Sequence, residues 1–144
     1  MQAYADSSLL IKLYVREPNS PDALALVRGI GKPLLYTPLH QLEIAGAIRC
    51  NVKRGVLTAS KAAQALLLLR RDLNAGVYVF PSLDWSRVFN RSQQLSRRHS
   101  RPLLARSLDL LHIACALELG VSDFLSFDDR QRKAAEAQGM RILP

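Results

Sequence analysis

The stretch from Arg106 to Gln131 constrains the fold of this chain more than any other part of the sequence. It reads RSLDLLHIACALELGVSDFLSFDDRQ, with apolar side chains every three or four residues in its first half. That spacing predicts a helix with a buried face, which Ser107 can cap and Gly120 can end. The apolar residues 124–127 predict a short strand, and the polar residues after them predict the start of another helix.

The same alternation of short apolar segments and longer helical patterns runs along the whole chain. It predicts an α/β fold with a parallel sheet of about five strands and helices on both faces. A length of 144 residues fits one domain, residues 1–144. The predicted strands are 2–5, 34–36, 77–80, 124–127 and 140–143, and the predicted helices begin near residues 7, 20, 37, 58, 84, 107 and 129.

Basic residues outnumber acidic ones, with 20 Lys and Arg against 12 Asp and Glu and a formal net charge of +8. Such a charge favours a polyanionic partner, of which nucleic acid is the simplest. No apolar run approaches the ~18 residues of a membrane-spanning helix, and the N-terminus lacks the pattern of a secretory signal. Cys50 and Cys115 lie in unlike contexts and give no disulfide framework. We therefore expect a cytoplasmic protein with no membrane segment.

Four acidic residues stand at comparable positions in the predicted fold. Asp6 follows the first strand and Asp128 follows the fourth. Glu43 lies in the helix after the second strand, and Asp109 lies in the first turn of a later helix. Because the carboxyl ends of parallel strands share one edge of a sheet, we expect these carboxylates to converge there. Helix capping or the helix dipole could instead explain the three aspartates, and solvation could explain Glu43.

Carboxylates held close together repel one another, so that some take up protons unless a cation binds between them. Hard divalent ions prefer such all-oxygen sites, and Mg²⁺ or Mn²⁺ is best suited beside a phosphate group. An ion of this kind lowers the pKa of a bound water and stabilises charge on a phosphoryl oxygen. Together with the basic net charge, the four acids predict a metal-dependent nuclease.

Three further residues are weaker candidates for the same site. His112 lies one turn after Asp109, but such a histidine is more often a packed core residue with a satisfied ring nitrogen. Ser8 could orient Asp6 through a hydrogen bond, with an ordinary first-turn serine as the alternative. Arg106 could hold a phosphate or an acid, or it could simply be solvated.

A row of arginines in the helix predicted after residue 84 could contact the phosphates of RNA. The row comprises Arg87, Arg91 and Arg98. A solvated helix face is the safer interpretation of such a row. Glu118 and Asp123 are expected at the surface.

Four segments of the chain resemble PIN-domain ribonucleases of the VapC toxin type. They are YADSSLLIKLYVREP at 4–18, LEIAGAI at 42–48, SLDLLHIACALELG at 107–120 and FLSFDDRQ at 124–131. Their order and spacing extend over nearly the whole chain, whereas residues 58–105 carry little of the resemblance. The resemblance implies a PIN-like three-layer α/β/α fold around the central parallel sheet.

The resemblance also implies the roles of the four acids. Asp6, Glu43, Asp109 and Asp128 would form the acidic site that binds Mg²⁺ or Mn²⁺ and cuts RNA, with Asp6 and Asp109 as direct ligands. Ser126 stands where the family usually has threonine, two residues before the fourth acid, and it keeps the hydroxyl. Members of the family are usually made with an antitoxin whose tail blocks the site, and they commonly form homodimers.

The sequence thus predicts a single-domain endoribonuclease that depends on Mg²⁺ or Mn²⁺ and leaves 5′-phosphate and 3′-hydroxyl ends. It would be the toxin of a type II toxin–antitoxin pair. Two alternatives stay open. One is a PIN-fold nuclease of RNA processing that has no antitoxin, and the other is a non-catalytic module that binds RNA or a protein partner.

Overall fold

The computed structural model describes residues 2–144 and confirms an α/β chain in which short strands alternate with helices. The strands are β1 (Ala3–Ala5), β2 (Leu34–Leu35), β3 (Tyr78–Val79), β4 (Asp123–Leu125) and β5 (Arg141–Leu143). The helices are α1 (Ser7–Ile11), α2 (Ser20–Ile30), α3 (Pro38–Lys53), α4 (Ala59–Asn74), α5 (Trp85–Leu103), α6 (Ser107–Glu118) and α7 (Asp129–Glu136).

The described chain divides into two compact units. The discontinuous unit comprises the residues up to Asp6 together with Pro81–Pro144, and the continuous unit comprises Ser7–Phe80. The assignment of residues 1–144 to one domain stays a prediction from chain length. Among residues 2–144, no helix combines the length and the apolar character that a membrane crossing needs.

The discontinuous unit contains a three-stranded parallel sheet in the order β1-β4-β5. Its register aligns Ala5 with Leu125 and Leu125 with Leu143, so the carboxyl ends of the strands lie together. Every residue of β1 and β4 is buried, as expected for parallel strands whose faces are covered. Helix α6 is buried continuously from Asp109 to Ala116, which explains why it is apolar almost all round.

The continuous unit contains a second parallel sheet, formed by β2 and β3 alone. The number of strands and their parallel pairing confirm the prediction, but the strands form two sheets instead of the single one expected. Only two residues pair on each strand, because Pro33 precedes β2 and Pro38 begins α3 directly after Thr37. Proline lacks the N–H that extends a ladder, so this pairing stays short.

The helices begin within one residue of the predicted positions. Thr58 and Asp84 accept hydrogen bonds from the first turns of α4 and α5. The prediction that Ser107 caps α6 is wrong, because Arg106 occupies the N-cap position and Ser107 is already helical. The sequence predicts a first helix that continues to Arg16, but α1 ends at Ile11, because the next three N–H groups bond to carbonyls only three residues back at 3.0–3.2 Å.

Two acids expected at the surface are instead covered and paired. The Glu118 side chain is 8% exposed and binds Arg87 and Arg91 of α5 at 3.0 and 2.9 Å. Asp123 is buried at the start of β4, and both of its carboxylate oxygens accept hydrogen bonds from Arg141, at 2.8 and 2.6 Å. These bonds from Arg141 lower the pKa of Asp123 below its ordinary value.

Candidate functional site

Asp6 lies directly after β1, at the carboxyl edge of the three-stranded sheet. Its N–H donates to the carbonyl of Leu125 at 3.0 Å, which extends the pairing of β1 with β4 by one residue. The residue is only 2% exposed. A buried carboxylate needs hydrogen-bond donors to stay ionised, and one of them comes from the neighbouring strand.

Ser126 supplies that donor and is fully buried beyond the end of β4. Its hydroxyl donates to Asp6 Oδ2 at 2.6 Å and accepts from the N–H of Asp128 at 3.0 Å. The hydroxyl also lies 3.1 Å from Gln131 Oε1. Since a serine has one proton, the shorter contact to the charged oxygen takes it. Ser126 therefore orients Asp6 from the adjacent strand.

Gln131 contacts both Ser126 and Asp109. It is 1% exposed, and its Nε2 donates to the backbone carbonyl of Asp109 at 3.1 Å. Gln131 is not among the candidate site residues that the sequence pattern indicates. A usable signal existed, because Gln131 precedes Ala134 and Ala135 by three and four residues and so shares their buried face of α7.

Asp109 is 8% exposed in the first turn of α6, and Arg106 holds its carboxylate. The backbone N–H and the Nε of Arg106 both donate to Asp109 Oδ2 at 3.1 Å, and an Nη donates to Oδ1 at 3.4 Å. The Arg106 side chain is 65% exposed, so its positive charge is open to solvent beside a buried acid. Of the two roles foreseen for Arg106, the structure shows the binding of an acid.

Asp128 caps helix α7, which is the ordinary role considered for it. Its Oδ1 accepts from the N–H groups of Arg130 and Gln131 at 2.9 and 3.1 Å, and its Oδ2 contacts the Arg130 guanidinium at 3.5 Å. Burial raises the pKa of this carboxyl, but the hydrogen bonds from Gln131 and Arg130 outweigh it and lower the pKa below its usual value. Asp128 is therefore ionised at neutral pH.

Glu43 lies in α3 of the continuous unit, where Ser7 donates to its Oε2 at 2.8 Å. Both residues line an open cleft of about 390 Å³ along α1 and α3. Ser7 is buried and holds Glu43, whereas Ser8 is exposed. The hydrogen bond suggested from Ser8 to Asp6 stays a prediction.

His112 and Cys115 are buried in the core of the protein. The Nδ1 of His112 hydrogen-bonds the Tyr4 hydroxyl at 2.9 Å in the core, which confirms the interpretation of a packed histidine with a satisfied ring nitrogen. Burial raises the pKa of the Cys115 thiol to about 11, although a hydrogen bond from Tyr4 opposes this. A thiol that stays protonated at neutral pH is a poor ligand for soft metals.

The carboxylates of the discontinuous unit suit a hard divalent ion. The donors that Asp6, Asp109 and Asp128 offer are all oxygens, and a buried carboxylate held by a hydroxyl is a typical hard ligand. Within residues 2–144, no three His, Cys, Asp or Glu side chains already form a group that could hold a metal. The site of four carboxylates around a metal ion therefore stays a prediction.

Comparison with known proteins shows the family and the fold of the chain. The PIN domain family matches residues 3–137. Ribonuclease VapC46 of Mycobacterium tuberculosis (strain ATCC 25618 / H37Rv) is 33% identical over 143 residues, which cover 97% of this chain and 95% of that protein. The crystal structure of FitAcB from Neisseria gonorrhoeae has a similar fold, with a TM-score of 0.64 and 12% identity over 99% of this chain and 97% of that one. The chain belongs to the PIN-domain family.

Proposed function

We propose that this protein is an endoribonuclease that hydrolyses phosphodiester bonds with the help of Mg²⁺ or Mn²⁺. The observation that carries the proposal is the buried network in which Ser126 holds Asp6 and Gln131 holds the backbone of Asp109. The similarity over nearly the full length to a protein named a ribonuclease supports the same activity. The net charge of +8 suits an RNA substrate.

In this proposal Asp6 and Asp109 hold the cation. When bound, a divalent ion lowers the pKa of water and neutralises charge that develops on a phosphoryl oxygen. Ser126 fixes the Asp6 carboxylate in one orientation, because its hydroxyl oxygen lies 2.6 Å from Oδ2 and donates to it. Gln131 fixes the first turn of α6, on which Asp109 is carried.

Arg106 has a second role in the proposal. Its guanidinium binds Asp109 and is also largely exposed, so it can hold a phosphate of the RNA chain at the acidic site. Asp128 retains one oxygen away from its helix cap, and we assign it to the site through that Oδ2 or through water. We assign Glu43 to the same chemistry because the family resemblance includes it and because Ser7, which holds it, follows Asp6 in the sequence.

The proposed biological role is that of the toxin in a type II toxin–antitoxin pair. Its partner would be an antitoxin protein that blocks the acidic site, and the protein itself would act as a homodimer in the cytoplasm. Two alternatives differ in what they predict. A nuclease of RNA processing cuts RNA but has no antitoxin partner, and a non-catalytic module binds RNA without any product.

A cleavage assay on total RNA tests the activity. We expect defined fragments with 5′-phosphate and 3′-hydroxyl ends in Mn²⁺ or Mg²⁺, and none in EDTA. Asp109→Asn should abolish cleavage and Glu43→Gln should reduce it, whereas Asp22→Asn, an exposed acid in the first turn of α2, should cut like wild type. Full activity in EDTA would contradict the metal dependence, and full activity of Asp109→Asn would contradict the proposed site.

A further inference from the structure

We propose that the outward face of α5 is a docking surface for the phosphate backbone of the RNA substrate, separate from the residues that cut it. The proposal rests on the proposed ribonuclease function. It concerns a row of side chains that we call the α5 stripe, composed of Arg87, Arg91, Gln94, Arg98 and Arg101.

The spacing of the α5 stripe places its members on one side of the helix. Successive members are four, three, four and three residues apart, which keeps them in line on an α-helix. At a rise of ~1.5 Å per residue, the stripe is about 21 Å long. The opposite side of α5 carries the buried residues Val88, Ser92 and Leu95. All five members of the stripe are exposed.

The two ends of the stripe differ in charge. Near the start of α5, Glu118 binds Arg87 and Arg91 and fixes their side chains against α6. Towards the end of α5, Arg98, Arg101 and the flanking Arg97 are exposed and form no ion pair within residues 2–144. Three uncompensated positive charges within five residues attract a polyanion, and each guanidinium presents the fork of donors that matches a phosphate.

The C-terminal end of the stripe leads to the acidic site within the same unit. Helix α5 ends at Leu103, Leu104 adopts a left-handed conformation with φ of 53°, and Arg106 then caps α6 beside Asp109. Five residues separate Arg101 from Arg106, so their Cα atoms lie at most ~18 Å apart. An RNA strand that follows the stripe therefore reaches Arg106 and Asp109 within a few nucleotides.

The occupant we infer is RNA and not an acidic protein segment. The stripe presents four guanidinium groups along one helix face, at positions 87, 91, 98 and 101, and such a linear array suits a backbone that carries one negative charge per nucleotide. Between the arginines lie the amides of Asn90 and Gln94, which line a shallow depression of about 220 Å³ together with Arg87, Arg91 and their ion-pair partner Glu118. Amides and guanidinium groups bind phosphate and sugar oxygens without regard to base sequence.

The test compares two variants that lose the same charge. The stripe variant is Arg97→Gln, Arg98→Gln, Arg101→Gln, and the control is Lys61→Gln, Arg70→Gln, Arg71→Gln, three exposed cations of α4. Binding of a fluorescent single-stranded RNA of 20 nucleotides is measured by anisotropy in EDTA, from 50 to 300 mM salt, and gels verify that the RNA stays intact.

We expect the stripe variant to bind RNA between ~10-fold and ~100-fold more weakly at 0.1 M salt, with a salt slope smaller by about 2 for three lost phosphate contacts. In the control, the salt slope should decrease by less than a third of that amount. In Mn²⁺, the stripe variant should show a higher KM with unchanged kcat on the long RNA, and wild-type cleavage of a four-nucleotide RNA.

Equal RNA affinity of the stripe variant and the control would overturn the proposal. Unchanged RNA binding together with weaker binding of a fluorescent polyglutamate peptide would assign the surface to an acidic protein and would equally overturn it. Failure of the ribonuclease proposal is a separate result, because it removes cleavage from the wild-type protein while the binding measured in EDTA still tests the stripe.

Discussion

Each of the two units contains a polar network, and the two networks differ in burial and in chemistry. In the discontinuous unit, Ser126 donates to the carboxylate of Asp6. In the continuous unit, Tyr14 donates to Asp72 at 2.9 Å and its oxygen lies 2.7 Å from the hydroxyl of Tyr78. Because the Tyr14 proton goes to Asp72, Tyr78 must donate to Tyr14.

The second network, formed by Tyr78, Tyr14 and Asp72, has a structural role because its phenols stay protonated. Burial raises the pKa of Tyr78 to about 12 and that of Tyr14 further, so both stay neutral at physiological pH. A chain of neutral donors that ends on one carboxylate stabilises the fold and offers no group for acid–base or metal chemistry. The first network instead buries a carboxylate at a sheet edge, which costs stability and is what the proposed role of Asp6 as a metal ligand leads us to expect.

The sharpest test of this comparison exchanges one acid in each network for its amide. Asp6→Asn should abolish RNA cleavage while the protein stays as stable as wild type or becomes more stable, because a buried charge is removed and Ser126 can still donate to the amide oxygen. Asp72→Asn should keep full activity and lose about 1 kcal/mol of stability with its charge-assisted bond. Cleavage rates and urea unfolding measure both effects.

The comparison would fail in either of two ways. Wild-type cleavage by Asp6→Asn, with contaminating nucleases excluded, would remove the first network from catalysis. A loss of cleavage in Asp72→Asn equal to that in Asp6→Asn would show that both networks serve the reaction.

Ser126 gives the next largest effect, since it acts on the site through Asp6. Ser126→Ala should lower kcat by roughly 10- to 100-fold, the usual cost of losing a group that orients a ligand. Its affinity for Mn²⁺, measured by calorimetry, should fall in parallel, which a purely structural role would not produce. Ser126→Thr keeps the hydroxyl and should recover most of both values, and failure of this rescue would contradict the orienting role.

Local rules predicted the strand ends that carry part of the candidate site. Asp6 and Ser126 follow short apolar strands, and parallel pairing of those strands is enough to bring them to one edge. The predicted starts of two helices, near Thr58 and Asp84, likewise agree with the N-caps of α4 and α5. These features depend on a few neighbouring residues, so periodicity and capping preferences reveal them.

Features that depend on packing could not be predicted in this way. The sequence offered both Ser7 and Ser8 after Asp6, and only the rotation of α1 decides that Ser7 holds Glu43. Ser107 is the better capping residue by type, but the hydrogen bonds between Arg106 and Asp109 set the start of α6 one residue earlier. Glu118 resembled a surface acid because its partners lie 27 and 31 positions before it.

Tyr14→Phe should show the purely structural character of the second network. The variant leaves Asp72 and Tyr78 without the hydroxyl that joins them, so we expect a loss of about 1–2 kcal/mol in the free energy of unfolding. Cleavage should stay within twofold of wild type. Thermal unfolding and a cleavage assay at matched protein concentration measure the two, and an unchanged stability would contradict a stabilising network.

The smallest effect should appear only in alkaline solution, where the tyrosines of the second network ionise. Tyr14 and Tyr78 have raised pKa values, Tyr78 to about 12, against 10.0 for an ordinary phenol. A group whose pKa is raised by folding stabilises fully below its unfolded pKa, and this contribution is lost as pH rises through the folded value. The tyrosine contribution to the free energy of unfolding, measured in urea, should therefore be constant up to about pH 9. Above pH 10 it should decline, and the decline should be shallower in Tyr14→Phe. Equal slopes in the two proteins would show that Tyr14 titrates normally, which would contradict the rise in its pKa that burial causes.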